Sequence, residues 1–586
     1  MPSSREADAY AYAVEAKSFT YWHPRREVAT LKQVSFRIRP GEFALIAGPS
    51  GSGKSTLGLC ALGVRPGLLL GRAEGDLLVR GSSSLRRPTC KIADDLGIVF
   101  QSPDDQISNL TVEDEIVFGL ENHQLTRSEI ASRLEEVLDL CRLRVYRKRS
   151  VWELSGGEKQ RVAIASMLAL KSPVLWLDEP TSNLDSAGEY QVWDTVERIR
   201  RSSDTTIIAV QHNIDHVLPL VDHVVLLVDG AVAFDGPPAE LLRTHRWRLP
   251  SDWGLWLPQA TDVAMRLQDR GIAITTLPHG GAAVAPWLPT ELLQHHEGSR
   301  VAAKNNEPSA EPADSTTAEA PWLEVKDLTF SYGSGTRLIS NVSLSVQRGE
   351  MIAIVGPNGA GKSTLTMLLV GLLQPTRGSV VVGGLRTNRA SPAELGRKIA
   401  YVFQYPEHQF IANTVLDEVA HGVRALRKPM AEVATTAEAA LRRIGLWEWR
   451  DRHPFNLSMG QKRRLSVACM LVTEPDGIIL DEPTFGQDWL SATQLMRFMQ
   501  SLNQENRTVM VVTHDMRLVA EYVSRVLVVV GGAIVFDGSA EQLFCKPDLL
   551  KAAQLIQPPV VQMSLEACGR PSLTTAAFVG SLLGDG

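Results

Sequence analysis

Short apolar runs, each broken by a glycine, a carboxylate pair or a histidine, set the rhythm of this chain. "FALIA" (43–47) and "IAIV" (352–355) run into glycine-rich segments followed by helical pattern, "VLWL" and "IIL" run into Asp-Glu, and "IIAV" and "VMVV" run toward histidine. Runs this short, bounded this way, predict buried strands rather than helices. "HVVLLVDGAVAF" and "VLVVVGGAIVF" predict strand pairs, and "TVEDEIVFGLEN" and "TVLDEVAHGV" each open a helix on a Thr-x-x-Asp capping box. No apolar run reaches the roughly eighteen residues of a membrane-spanning helix, and "MPSSREADAY" lacks the basic and apolar regions of a signal peptide.

The pattern occurs twice. "GPSGSGKST" returns as "GPNGAGKST", "VFQSPDDQ" as "VFQYPEHQ", and "WLDEPT" as "ILDEPT", each roughly three hundred residues on. The repeat predicts a first domain over 1–245 with a small appended module at 246–295, and a second domain over 321–545 with an appended module at 546–586. Between them, 296–320 is polar, bears alanine and proline and lacks aromatics, and reads as a flexible linker.

Composition adds little to this picture and excludes some classes. At 586 residues the chain exceeds one ordinary core; its net charge of −6 and charged fraction of 22% indicate neither a global nucleic-acid patch nor an acidic tail. The six cysteines form no CxxC pair, which argues against a zinc ribbon or a disulfide framework and for a reducing cytosol.

The motifs carry the chemistry. A GxxxxGK[ST] loop between strand and helix aims backbone N–H groups at phosphate oxygens. One such loop comprises Gly48, Pro49, Ser50, Gly51, Ser52, Gly53, Lys54, Ser55 and Thr56; the other comprises Gly356, Pro357, Asn358, Gly359, Ala360, Gly361, Lys362, Ser363 and Thr364. Lys54 and Lys362 reach terminal phosphates, and Ser55 and Ser363 can ligate Mg²⁺. Asp178 and Asp481 end apolar strands, where a charge is costly without a task; they are placed to hold Mg²⁺ through water. Glu179 and Glu482 are placed to deprotonate the water that attacks a γ-phosphate. His212 and His514 follow the next strand and can contact that water, and Gln101 and Gln404 can reach Mg²⁺. Tyr21 and Tyr332 precede the loops and can stack on adenine; Trp22 competes for that place, and core packing is the plain alternative.

With "LSGGE" (Ser155, Gly156, Gly157, Glu158) and "LSMGQ" (Ser458, Met459, Gly460, Gln461), this set resembles the ABC ATPase domain over about 12–240 and 322–542. The resemblance implies an α/β fold of tandem P-loop domains, each with an antiparallel β subdomain and a helical subdomain that carries the signature. It also implies ATP and Mg²⁺ as ligands and a head-to-tail pairing within one chain, in which each phosphate loop faces the other half's signature. Met459 keeps its N–H but loses the option of positive φ and adds bulk, an expected asymmetry between two working sites.

"FQSPDDQ" and "FQYPEHQ" resemble the ATPases of energy-coupling-factor importers, which implies a transmembrane coupling subunit, a separate substrate-binding membrane subunit and a place on the cytoplasmic face of the membrane. Asp104, Asp105, Glu407 and His408 then help contact the membrane partner, unless they are ordinary solvated acids and helix-start groups. The cargo class implied is a vitamin, a vitamin precursor or a transition metal ion. A tandem sugar-importer ATPase is the first rival, although both halves here retain Lys, Asp-Glu and His. A soluble ABC protein acting on ribosome or nucleic acid is the second; the acidic linker and absent CxxC disfavour it, and the basic run Arg142–Ser150 reads as a solvated helix face.

Overall fold

The computed structural model describes residues 10–64, 71–182, 184–274, 320–333, 337–425, 429–484 and 486–584, with Leu277, Pro278, Val284, Trp287, Leu288, Pro289, Leu292 and Gly335. The linker read over 296–320 lies outside them but for its last residue. The chain divides into two compact units near residue 262, a few short segments aside.

In the first unit a six-stranded sheet runs, in spatial order, Ala231–Gly236, His223–Val228, Phe43–Ala47, Thr206–Val210, Val174–Asp178, Leu96–Val99. All neighbours are parallel except the first pair, which forms the expected hairpin. Phe43–Ala47, Val174–Asp178 and Thr206–Val210 are buried at every position. Helices and loops cover both faces of such strands, which is why they read as continuous apolar runs without alternation. A second, antiparallel sheet of Leu31–Ile38, Val14–Trp22, Arg72–Val79 and Ser82–Ser83 shares a core with the helix Lys54–Ala61. Helices Val112–Asn122, Arg127–Leu140 and Gly156–Ala169 form the helical part.

The second unit repeats this with Ile399–Val402, Gly477–Asp481, Thr508–Val512, Met351–Val355, Arg525–Val530 and Ala533–Gly538 in one sheet and Arg337–Val346, Leu323–Ser331, Arg377–Val382 and Leu385–Arg386 in the other. Its helices Val415–Ala425, Met430–Arg443 and Met459–Leu471 bury a separate apolar cluster. Pro559–Cys568 and Thr575–Leu583 are helices of the C-terminal segment.

The Thr-x-x-Asp helix starts form with one change. Thr111 and Thr414 accept from the N–H groups of Asp114 (3.2 Å) and Asp417 (3.0 Å), but the shorter aspartates accept from the threonine hydroxyls at 2.6 and 2.8 Å, whereas Glu129 also reaches the N–H of its capping Thr126 at 2.9 Å. The basic run of residues 142–150 is mostly paired internally: Arg142 with Asp194, Arg144 with Asp139, Arg147 with Glu113 and Glu135.

Candidate functional site

Four neighbouring parallel strands end at one edge of each large sheet, and the motif residues follow them in turn, the usual place for ligands in an open α/β sheet. In the first unit the loop Gly48–Thr56 follows Phe43–Ala47, His212 follows Thr206–Val210, Asp178 and Glu179 close Val174–Asp178, and Gln101 follows Leu96–Val99.

The phosphate loops close on their own lysines. Lys54 Nζ donates to Gly48 O (2.9 Å) and Pro49 O (2.8 Å), and Lys362 Nζ to Gly356 O (2.8 Å) and Pro357 O (3.0 Å). Burial pulls the Lys54 ammonium down to about 8, against the opposing pull of Glu179 and Asp178. Ser52 Oγ is buried with no hydrogen-bond partner among the described residues, a group of the kind that calls for an explanation.

Each carboxylate cluster is buried and paired. Ser55 Oγ donates to Asp178 Oδ1 at 3.0 Å; Glu179 Oε1 lies 2.7 Å from His212 Nε2, and its Oε2 accepts from Gln101 Nε2 at 3.2 Å. In the second unit His514 meets Glu482 through its other nitrogen, Nδ1, 3.0 Å from Oε2, while Asp481 Oδ2 accepts from the Tyr401 hydroxyl at 2.7 Å. Glu179 and Glu482 hold φ of 45° and 46°, anchored by N–H bonds to Val210 O (3.0 Å) and Val512 O (2.9 Å). A left-handed non-glycine residue stores about 1–3 kcal/mol, and here it turns the chain off the strand directly after the aspartate.

Burial pushes Asp178 up to about 6, with Glu179 adding to the shift. Burial also raises Glu179, but His212 and Lys54 outweigh it and leave that carboxyl below its usual range. Burial disfavours the His514 cation, yet the facing Glu482 carries it up to about 9.

The donors present suit Mg²⁺. A serine hydroxyl and an aspartate stand together in each unit; Ser363 bonds the Asp481 carboxylate, whose Oδ1 is buried without a hydrogen-bond partner among the described residues. So few hard oxygen donors leave most of an octahedron to water and phosphate, as Mg²⁺ prefers. No cluster of three His, Cys, Asp or Glu able to hold a metal occurs among the described residues, in keeping with that sparse set.

Ser155 and Ser458 cap the signature helices in full capping boxes with Glu158 and Gln461. Gly156 and Met459 both open the helix, and Gly156 does not use positive φ, so methionine costs the backbone nothing. The constrained glycine is the next one. A Cβ on Gly157 would stand 3.1 Å from Gly188 Cα, and one on Gly460 2.8 Å from Ser491 Oγ.

Sequence reasoning missed the buried side chains that brace this region. Arg463 is fully buried; it donates to Phe403 O, to Gln404 O (2.5 Å) and to Glu482 O (3.2 Å), joining the signature helix to the glutamine loop and the end of the strand Gly477–Asp481. Its counterpart Gln160 makes one such bond, to Phe100 O at 3.3 Å. Arg463→Met is therefore expected to cost about 3 kcal/mol by stranding buried carbonyls, and Arg463→Gln about 1 kcal/mol, read as denaturant midpoints. Glu115 and Glu418 are buried too, clasping loop N–H groups at Ser108 and Asn109 and at Ile411 and Ala412. Asp104 and Glu407 pair with Lys159 (2.6 Å) and Lys462 (2.8 Å) of the signature helices, a task the solvated-acid reading did not foresee.

The aromatic assignment needs a correction. Tyr21 is fully buried in the core and presents no face for a base. A bulge at Ser18 (φ 45°) shifts the strand's alternation, so Tyr21 turns inward. Tyr332, 57% exposed, corresponds instead to His23: each stands edge-on to the core ring two residues before it, Tyr21–His23 at 5.2 Å and Phe330–Tyr332 at 4.8 Å. Trp22, the competing candidate, is half-buried with Arg72 stacked on it at 3.9 Å.

Residues 31–182 and 339–485 match the family described as ABC transporter. A relative from Methanosarcina mazei, whose name describes an ABC transporter ATP-binding protein, is 35% identical over 94% of this chain and 93% of its own length. YkoD of Bacillus subtilis, named as an HMP/thiamine import ATP-binding protein, is 35% identical over 93% of this chain and 94% of its own. The solved structure of cbiO1 from Clostridium perfringens is 31% identical, covers 40% of this chain and 94% of its own, and superposes with a TM-score of 0.37.

Proposed function

The chain belongs to the ABC transporter family as an ATP-binding, ATP-hydrolysing subunit that uses Mg²⁺, and from that premise we propose that it powers an importer of the energy-coupling-factor type, with a vitamin or vitamin precursor as the favoured cargo. The observation that carries the reading is the completeness of both clusters. Lysine, serine, Asp-Glu, histidine and glutamine are present in each unit, which disfavours a sugar-importer tandem with one decayed half. The HMP/thiamine name of YkoD, similar over nearly the whole chain, points the cargo the same way.

In this reading Lys54 and Lys362 exchange their loop carbonyls for β- and γ-phosphate oxygens. Ser55 with Asp178, and Ser363 with Asp481, hold Mg²⁺, which when bound neutralises phosphate charge. Glu179 is anionic at neutral pH and held by His212; once Gln101 lets go of Oε2, that oxygen is free to take a proton from the attacking water. In the second unit Glu482, held by His514 through Oε2, takes the same role. Ser155 with Gly157, and Ser458 with Gly460, each stand at the N-terminus of a capped helix and offer N–H groups to a γ-phosphate. His23 or Trp22 in the first unit, and Tyr332 in the second, lie beside the base.

The chain has no helix among its described residues long and apolar enough to cross a membrane, so transport requires membrane subunits. Exposed Leu110 (71%) beside the helix Val112–Asn122, and Ile411 (68%) with Phe455 beside Val415–Ala425, offer apolar docking points on the glutamine side of each unit. The test is uptake. Vesicles carrying the chain with the membrane proteins encoded beside it should accumulate labelled thiamine or HMP when ATP is on the chain's side. Recovery of the chain on ribosomes, or ATP hydrolysis stimulated by nucleic acid and not by membrane partners, would overturn the transport reading.

A further inference from the structure

The two metal-side carboxylates differ in one buried contact. Asp481 Oδ2 accepts from the Tyr401 hydroxyl at 2.7 Å, whereas Ile98 stands in the matching place on the first unit's edge strand and leaves Asp178 with Ser55 at 3.0 Å. The difference is built into the packing around it. Tyr401 pairs in register with Ile479 and Ile98 with Trp176. In the first unit the Trp176 indole fills this space so closely that a Cβ on Gly58 would lie 2.7 Å from its Nε1. In the second unit that volume is divided between Tyr401 and Thr366, which is fully buried and bonds back to Ser363 O at 2.9 Å, next to the phenol.

We propose that Tyr401 is a positioning residue for Asp481, fixing one carboxylate oxygen so that the other, Oδ1, is presented to the divalent cation, an arrangement the first site lacks. A phenol O–H on a carboxylate is a strong, charge-assisted bond, and in a buried site it sets the rotamer as well as the charge. The two sites thus bind the cation on different terms although their ligand types are the same. The inference rests on the assignment of Asp481 to the metal made above.

The experiment is a Mn²⁺ titration followed by electron paramagnetic resonance, on the full chain with a non-hydrolysable ATP analogue. It is run in Lys54→Ala, which leaves the second site, and in Lys362→Ala, which leaves the first. Tyr401→Phe keeps the ring against Phe403 and removes only the hydroxyl. It should raise the half-saturating Mn²⁺ about tenfold in Lys54→Ala and leave Lys362→Ala unchanged. No rise in the first background, or equal rises in both, overturns the proposal. Asp481→Asn in Lys54→Ala separates the two levels: if it shifts the titration and Tyr401→Phe does not, only the role of Tyr401 falls. If neither shifts it, the assignment of Asp481 falls as well.

Discussion

The double variant Glu179→Gln, Glu482→Gln is expected to hydrolyse ATP about 10²- to 10⁴-fold more slowly than the parent while still binding it. Glutamine matches glutamate in shape, so the left-handed turn after the aspartate and the contact to histidine survive; only the ability to accept a proton is removed. In the first cluster that ability is well prepared, because His212 and Lys54 hold Glu179 ionised despite its burial. In the second, the partner is His514, raised to about 9 by the carboxylate it faces despite its burial. Steady-state phosphate release gives the rate, and a fluorescent ATP analogue gives the binding. Hydrolysis at the parental rate by the double variant would show that neither glutamate is the base.

A single methyl group placed in the phosphate loop should do comparable damage by another route. A Cβ on Gly48 (φ 145°) would lie 2.0 Å from Leu227 O, and one on Gly356 (φ 146°) 2.1 Å from Val529 O. The obstacle is a main-chain carbonyl of the neighbouring strand, which no rotamer change relieves. Overpacking and backbone strain together put the cost near 4 kcal/mol for Gly48→Ala or Gly356→Ala, with loss of nucleotide binding at the altered site. Gly51→Ala is the control: that glycine also holds positive φ (81°), but nothing lies within 4 Å of an added Cβ, so about 1 kcal/mol is expected. Calorimetric unfolding and site-specific ATP binding measure both. Equal losses for Gly48→Ala and Gly51→Ala would mean that the carbonyl clash is not what fixes Gly48.

What the sequence made legible was whatever repeats at fixed spacing and whatever is buried on two faces. The apolar runs became the parallel strands because their length and their Gly, Asp-Glu and His endings leave few other folds. The clusters of Lys54, Ser55, Asp178, Glu179, His212 and Gln101 then assembled at the strand ends. What remained hidden depends on a single residue's displacement or on the identity of a cross-strand neighbour. The bulge at Ser18 recurs at Asp327 (φ 47°), so the two strands stay in step and Tyr21 is equivalent to Phe330; pairing Tyr21 with Tyr332 on residue type alone slips the repeat by two positions. Arg463 looked like one more charge in "GQKRRL", yet it lies wholly inside, because three main-chain carbonyls happen to converge there. Tyr401 reads as an ordinary strand aromatic until the opposite strand is known to end in Asp481.

The lysines that close each phosphate loop on its own carbonyls have a thermodynamic corollary. A loop whose cation is already tied at two points has surrendered most of its conformational freedom before any anion arrives. Association then trades one set of acceptors for another within a fixed frame, so little of the attraction is spent on ordering the chain. In the proposed role, the rigidity of the cradle adds to what its charge contributes to phosphate binding.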